Sequence, residues 1–142
     1  MRIDVAGIAS EEKAKLLDEG THELQIGTTK VAPTKKDPAK LMLTLPVKAV
    51  DNEYALCDTV WDTIILPMRI DDLWPEDQKI KTAQMNRMSR LKLQQLFQSA
   101  GVDYDDTGFD PDDLNGKVVK AVVRHGTDQN GLPRAEIKAY LS

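Results

Sequence analysis

Scarcity is informative in this chain: it has one cysteine, aromatics at only 5% of its residues and no long apolar run. Cys57 alone can form no internal disulfide, and a thiolate zinc cluster is excluded within one chain. No apolar stretch approaches the roughly 20 residues a helix needs to cross a bilayer. The first residues, with Asp4, Glu11 and Glu12, lack the basic-then-apolar layout of a signal peptide. The expected location is therefore the cytoplasm, with no membrane partner. Enzymatic signatures are missing as well. There is no Gly-rich phosphate loop and no nucleophile motif, and neither His22 nor His125 has a cysteine or carboxylate at metal-ligand spacing. Aspartates are numerous, yet no spacing singles out a two-metal pair. The expectation is a protein without catalytic activity, cofactor or metal.

What is present fits one domain over residues 1–142. At this length, with 41% hydrophobic content, the chain can bury a real core but has no room for a second. A net charge of −4 looks wrong for a nucleic-acid binder, but the charge is segregated. Residues 30–50 carry five positive charges against one negative, 79–101 five against none, and 116–142 five against two, with acidic stretches between. Basic blocks that meet in the fold make a local positive groove, and a phosphate backbone senses that groove rather than the net charge. The bland alternative is that each block is a solvated face.

The segment Ser10 to Gly20 reads as a short capped helix within an N-terminal extension over residues 1–19. His22 to Val31 alternates, with Leu24 and Ile26 on one face. After a turn at Pro33 to Pro38, a second alternating set follows in Leu41, Leu43, Leu45 and Val47. Thr59 to Met68 is a third strand with Val60, Ile64 and Leu66 inward, ended or placed at an edge by Pro67. Lys79 to Ala100 contains no Gly or Pro and predicts a helix closed by Gly101. A final hairpin joins Lys117–His125 to Arg134–Leu141 through a Gly/Asp/Asn-rich turn. Strict alternation on its last strand points Ala135, Ile137, Ala139 and Leu141 one way and Arg134, Glu136, Lys138 and Tyr140 the other. The expected fold is mainly β with one long helix: a five-stranded OB-fold barrel with its helix between strands three and four.

Five motifs in order carry a family resemblance: Gly20 opening strand one, Val60-Trp61-Asp62 in strand three, Leu93 to Gly101 closing the helix, Leu114-Asn-Gly-Lys117 before strand four, and Glu136-Ile-Lys-Ala-Tyr140 at the end. Over about residues 18–141 the chain resembles the phage-encoded single-stranded DNA-binding proteins once catalogued as a family of unknown function. That resemblance implies an OB-fold protein of a phage replication or recombination module that coats single strands without sequence preference. It would act in the host cytoplasm beside phage or host replication and recombination proteins. Cellular single-strand binders end in a flexible acidic tail, whereas here the acidic run is internal, at Asp103 to Asp113. Recruitment of partners through a tail is accordingly not expected.

Single-strand binding needs cations along a groove and a few aromatic rings on which bases stack. The basic candidates are Lys30, Lys35, Lys36, Lys40 and Lys48 around strands one and two, with Lys120, Arg124, Arg134 and Lys138 on the last hairpin. Among aromatics, Tyr140 shares a strand face with Arg134 and Lys138, and the competing reading is a rim-packing residue. Trp61 lies opposite Val60 and Ile64, although a Trp in a small barrel is more often core or helix-facing. Tyr54 is expected to be exposed in the loop between strands two and three.

The predicted helix holds two apolar stripes: Ile80, Met88 and Leu91, and Met85, Leu93, Leu96, Phe97 and Ala100. Barrel packing or a homo-oligomer contact fits it better than direct DNA reading. Asp103-x-Asp105-x-Thr107-Gly108 matches the first half of a calcium-binding EF-hand loop. Leu114 stands where the bidentate Glu belongs and a strand follows, so the segment reads as a solvated acidic loop. The alternative to DNA binding is an OB-like interaction module that docks a replication or recombination partner through the basic helix and the acidic loop.

Overall fold

A computed structural model describes residues 1–3, 15–105 and 108–142. The chain is mainly β with one helix. In order come β1 (Gly20–Ile26), β2 (Lys30–Pro33), β3 (Leu41–Ala49), β4 (Val60–Ile65), α1 (Glu76–Ala100), β5 (Val118–Thr127) and β6 (Pro133–Leu141). Short 3-10 turns occupy Asn52–Tyr54 and Pro111–Leu114. The strands form one antiparallel sheet in the order β2-β3-β1-β5-β6, with β4 paired to β3.

The first expected strand is broken in two, so the described sheet has six strands rather than five. Ile26 faces Val47 and Lys30 faces Thr44, which leaves three residues, 27–29, opposite two on β3. Such an excess bends a strand. Gly27 sits at this bend, where an added Cβ would lie 3.2 Å from Pro46 Cγ. Thr29 pins the bend, its N–H donating to Asn115 Oδ1 at 2.9 Å and its hydroxyl lying 3.0 Å from the Pro111 carbonyl.

Alternation explains the core. Leu24 and Ile26, Leu43, Leu45 and Val47, Val60 and Ile64, and Val119, Ala121 and Val123 are all buried at period two. Leu41 is exposed at the end of β3, while Leu66 packs at the core's margin beyond β4. The helix starts three residues earlier than Lys79, because Pro75 supplies the extended turn and Glu76 and Asp77 complement the positive helix end. It stops at Gly101 (φ 69°). Its buried side chains are Asn86, Leu93, Leu96 and Phe97. The second apolar stripe therefore faces the sheet, apart from exposed Met85, and Ile80, Met88 and Leu91 remain exposed.

The sheet is not closed into a barrel: among the described residues β4 pairs only with β3 and β6 only with β5. Side chains bridge that seam. The Tyr140 hydroxyl donates to Asp62 Oδ2 at 2.6 Å, and Lys92 Nζ from α1 donates to Asp62 Oδ1 at 3.0 Å. Thr63 N–H adds a third donor to the same carboxylate at 3.0 Å. A buried carboxylate is costly unless paired in this way. Burial, then the Asp62 charge, pushes the Tyr140 hydroxyl far above the ordinary tyrosine range.

Residues 15–18 carry no helix, and the remainder of the segment expected to be helical, through Ala14, lies outside the described residues. Asp106 and Thr107 of the EF-hand-like segment lie outside them as well.

Candidate nucleic-acid interface

Directly opposed residues on paired strands share a sheet face. On the outer face of β2, β3 and β4 this rule aligns Lys30 with Thr44 and Thr63, Ala32 with Met42 and Ile65, and Pro46 with Trp61. Lys48 continues the row two residues beyond Pro46. Trp61 is 63% exposed, because its neighbours Val60 and Asp62 take the inward positions on β4. No carboxylate stands among these outer positions. The β2–β3 loop extends the face with exposed Lys35 and Lys36 and half-buried Lys40. Hydrogen bonds hold that loop in shape: Thr34 Oγ1 donates to the Asp37 carbonyl at 2.7 Å, and the Asp37 carboxylate accepts from Ala39 N–H at 3.1 Å.

The β5–β6 face is built differently. Arg124 and Arg134 both turn to Glu136, at 3.3 and 2.9 Å. The Arg134 hydrogen bond holds the Glu136 carboxyl below its ordinary range against the opposing effect of burial, with smaller help from the Arg134 charge and from Arg124. Gly126 makes the arrangement possible, since a Cβ there would lie 2.7 Å from the Glu136 carboxylate. Lys120 stands opposite Glu23 in the ladder. Lys138 is exposed.

Tyr140 overturns the expected strand faces. Val122 pairs with Ala139 and Val123 with Ile137, so Lys138 is an extra residue with no partner of its own. A bulge of this kind resets the alternation. Ile137 and Tyr140, three apart, therefore both point inward, and Tyr140 is 3% exposed. Its ring offers no face to a base.

Tyr54 also departs from expectation. It is half-buried in a 3-10 turn and meets His22 edge-on at 4.8 Å between ring centroids. Glu53, burial, Asp18 and Asp51 raise its hydroxyl pKa, in that order. That acidic setting repels phosphate.

Of the sequence candidates, the structure brings Lys30, Lys48 and Trp61 onto one face with Lys35, Lys36 and Lys40 at its margin. It separates from them the paired Arg124 and Arg134, Lys120 and Lys138, the buried Tyr140 and the acid-flanked Tyr54. Asp62 went unnoticed in the sequence as a structural residue. The available signal was a carboxylate at an inward position of an alternating strand. A groove of about 670 Å³ opens elsewhere, between α1 and the chain after β4, with Phe97, Tyr104 and Phe109 at one side and Arg87 and Arg90 at the other. No helix among the described residues is long and apolar enough to cross a membrane. No protein-family model matches the chain, and neither does any curated protein.

Proposed function

We propose that this protein binds single-stranded DNA without sequence preference, laying the strand over the outer face of β2, β3 and β4, and that it carries out no catalysis. One observation carries the reading: a tryptophan with most of its surface in solvent shares the outer face of β2, β3 and β4 with Lys30 and Lys48, and none of the outward positions of those strands is a carboxylate. Base stacking on such a ring is worth roughly 1–3 kcal/mol and tolerates any base, because every base has a π-face. Lysines at the margin supply the electrostatic part, which falls with salt as counterions are no longer released to advantage.

An OB-type framework is part of the proposal. β1 and β2 together correspond to its first strand, β3 and β4 to its second and third, and β5 and β6 to its last two, with α1 in the expected place between. The β4–β6 seam is then closed by Asp62, Tyr140 and Lys92 instead of a backbone ladder. The phage replication or recombination setting rests on the five sequence motifs.

The test is titration of a labelled mixed-sequence oligonucleotide at low and rising salt. Saturable binding that weakens steeply with salt supports the proposal. Absence of binding at low salt contradicts it and leaves the interaction-module reading, which the groove beside Arg87 and Arg90 favours.

A further inference from the structure

The groove beside α1 has two unlike sides. Arg87 and Arg90 stand three residues apart on its helix side, both exposed and neither ion-paired among the described residues. Leu66, Leu93 and Phe97 supply apolar surface, and Tyr104 and Asp105 line the other side. The Asp105 carboxylate accepts from Gly108 N–H at 3.0 Å and so is turned toward its own loop. That loop is the acidic run found in the sequence. The groove is therefore basic along the helix, apolar within and acidic opposite.

A surface of matching chemistry lies elsewhere on the same chain. Between Met68, tied to the Asn86 side chain by hydrogen bonds of 2.8 and 2.7 Å, and Pro75 at the start of α1, the backbone turns at Asp71. The Asp71 carboxylate accepts from Leu73 N–H at 2.8 Å, and its carbonyl accepts from Trp74 N–H at 3.1 Å. Leu73 is 92% exposed on this turn. A lone exposed leucine is ordinary. This one is held out on a hydrogen-bonded turn beside exposed Asp71 and Asp72, neither ion-paired among the described residues, with exposed Arg69 just before them. An apolar tip, two carboxylates and one cation answer the groove's apolar surface, its two arginines and its acidic side. The turn cannot enter its own groove, because it precedes Glu76 and Arg90 lies about 21 Å further along the helix at 1.5 Å per residue. We infer that two copies of this chain associate by seating the Leu73 turn of one in the α1 groove of the other. Asp71 and Asp72 then meet the partner's Arg87 and Arg90, and Arg69 points toward the partner's Asp105. Since the turn is already formed, seating it orders little that was loose. The contact joins unlike surfaces, so a copy whose turn is seated still offers its groove, and association can continue beyond two.

Association needs no DNA and is measured on the full chain without it, so it holds or fails independently of strand binding. Sedimentation equilibrium should show a mass rising with concentration above 15.9 kDa. Leu73→Ala, and separately Arg87→Glu with Arg90→Glu, should each weaken association by about tenfold. All three side chains are exposed, so both variants should melt like the parent. Mixing the two variants is the sharpest arm. The first keeps an intact groove and the second an intact turn, so together they should form a species of twice 15.9 kDa at concentrations where each alone is monomeric. A parent that stays monomeric at every concentration, which would leave the groove to a different partner, would overturn the inference. So would a variant that associates like the parent, or a mixture that stays monomeric.

Discussion

The β2–β3–β4 face and the β5–β6 face both looked basic in sequence, and they use their charge in opposite ways. On the first, Lys30 and Lys48 share the outer face of β2, β3 and β4 with an exposed Trp61, and none of the outward positions of those three strands is a carboxylate. On the second, Arg124 and Arg134 are consumed by Glu136, and the aromatic residue, Tyr140, is turned inward onto Asp62. Counting cations does not distinguish the two. What distinguishes them is whether each cation already has a partner and whether an aromatic ring is free. One face leaves its cations and its ring to solvent, and the other uses them to hold the sheet together.

The largest expected effect breaks the second face. Tyr140→Ala removes a buried ring and leaves Asp62 short of a donor, and should cost about 3–5 kcal/mol in denaturant unfolding while leaving the DNA affinity of the folded fraction unchanged. Tyr140→Phe keeps the ring and should cost about 1–3 kcal/mol. Next comes Trp61→Ala, expected to weaken single-strand binding by roughly 1–3 kcal/mol with a melting curve close to the parent's, since the ring is exposed. Loss of stability without loss of affinity in that variant would erase the contrast. Smaller is the electrostatic effect. Replacing Lys30, Lys36 and Lys48 by Ala should flatten the salt slope of binding by about two, at roughly 0.7 per phosphate contact on a single strand, whereas Arg124→Ala with Arg134→Ala should change it by less than about one.

The smallest effect concerns acid. The folded Glu136 carboxyl has a lowered pKa, so its contribution to stability is present in full above the ordinary glutamate range and is lost as pH falls through the folded value. Melts taken from neutral pH down to about pH 3 should therefore show a slightly shallower acid loss in Glu136→Gln than in the parent. Identical profiles would mean that the Arg–Glu–Arg cluster contributes nothing.

The strand and helix pattern was legible because period two and the Gly/Pro-free stretch act locally. Leu43, Leu45 and Val47, or the run to Gly101, need no knowledge of the rest of the chain. Two features were not legible for the same reason. The bulge at Lys138 exists only relative to β5, so Tyr140 reads as outward from its own strand and is inward in the fold. The break between β1 and β2 is likewise set by pairing with β3 and by Thr29 reaching Asn115, more than eighty residues away. As for the interface, residue types narrowed the choice of cations, yet the partnership of Arg124 and Arg134 with Glu136 depends on Gly126 allowing the carboxylate across the hairpin. Trp61 could be placed opposite Val60 from alternation, but its exposure depends on the tertiary fold, in which it stays 63% exposed among the described residues.

Emission from Trp61 itself tests the central claim most directly. Trp74, half-buried before α1, is the only other tryptophan, so Trp74→Phe leaves a single reporter. Titrating that variant with a mixed-sequence single-stranded oligonucleotide at low salt should quench the emission saturably, in step with binding followed by the label on the DNA, and added salt should reverse both together. Binding that saturates while Trp61 emission stays constant would contradict the account, because the strand would then lie somewhere other than the β2–β3–β4 face.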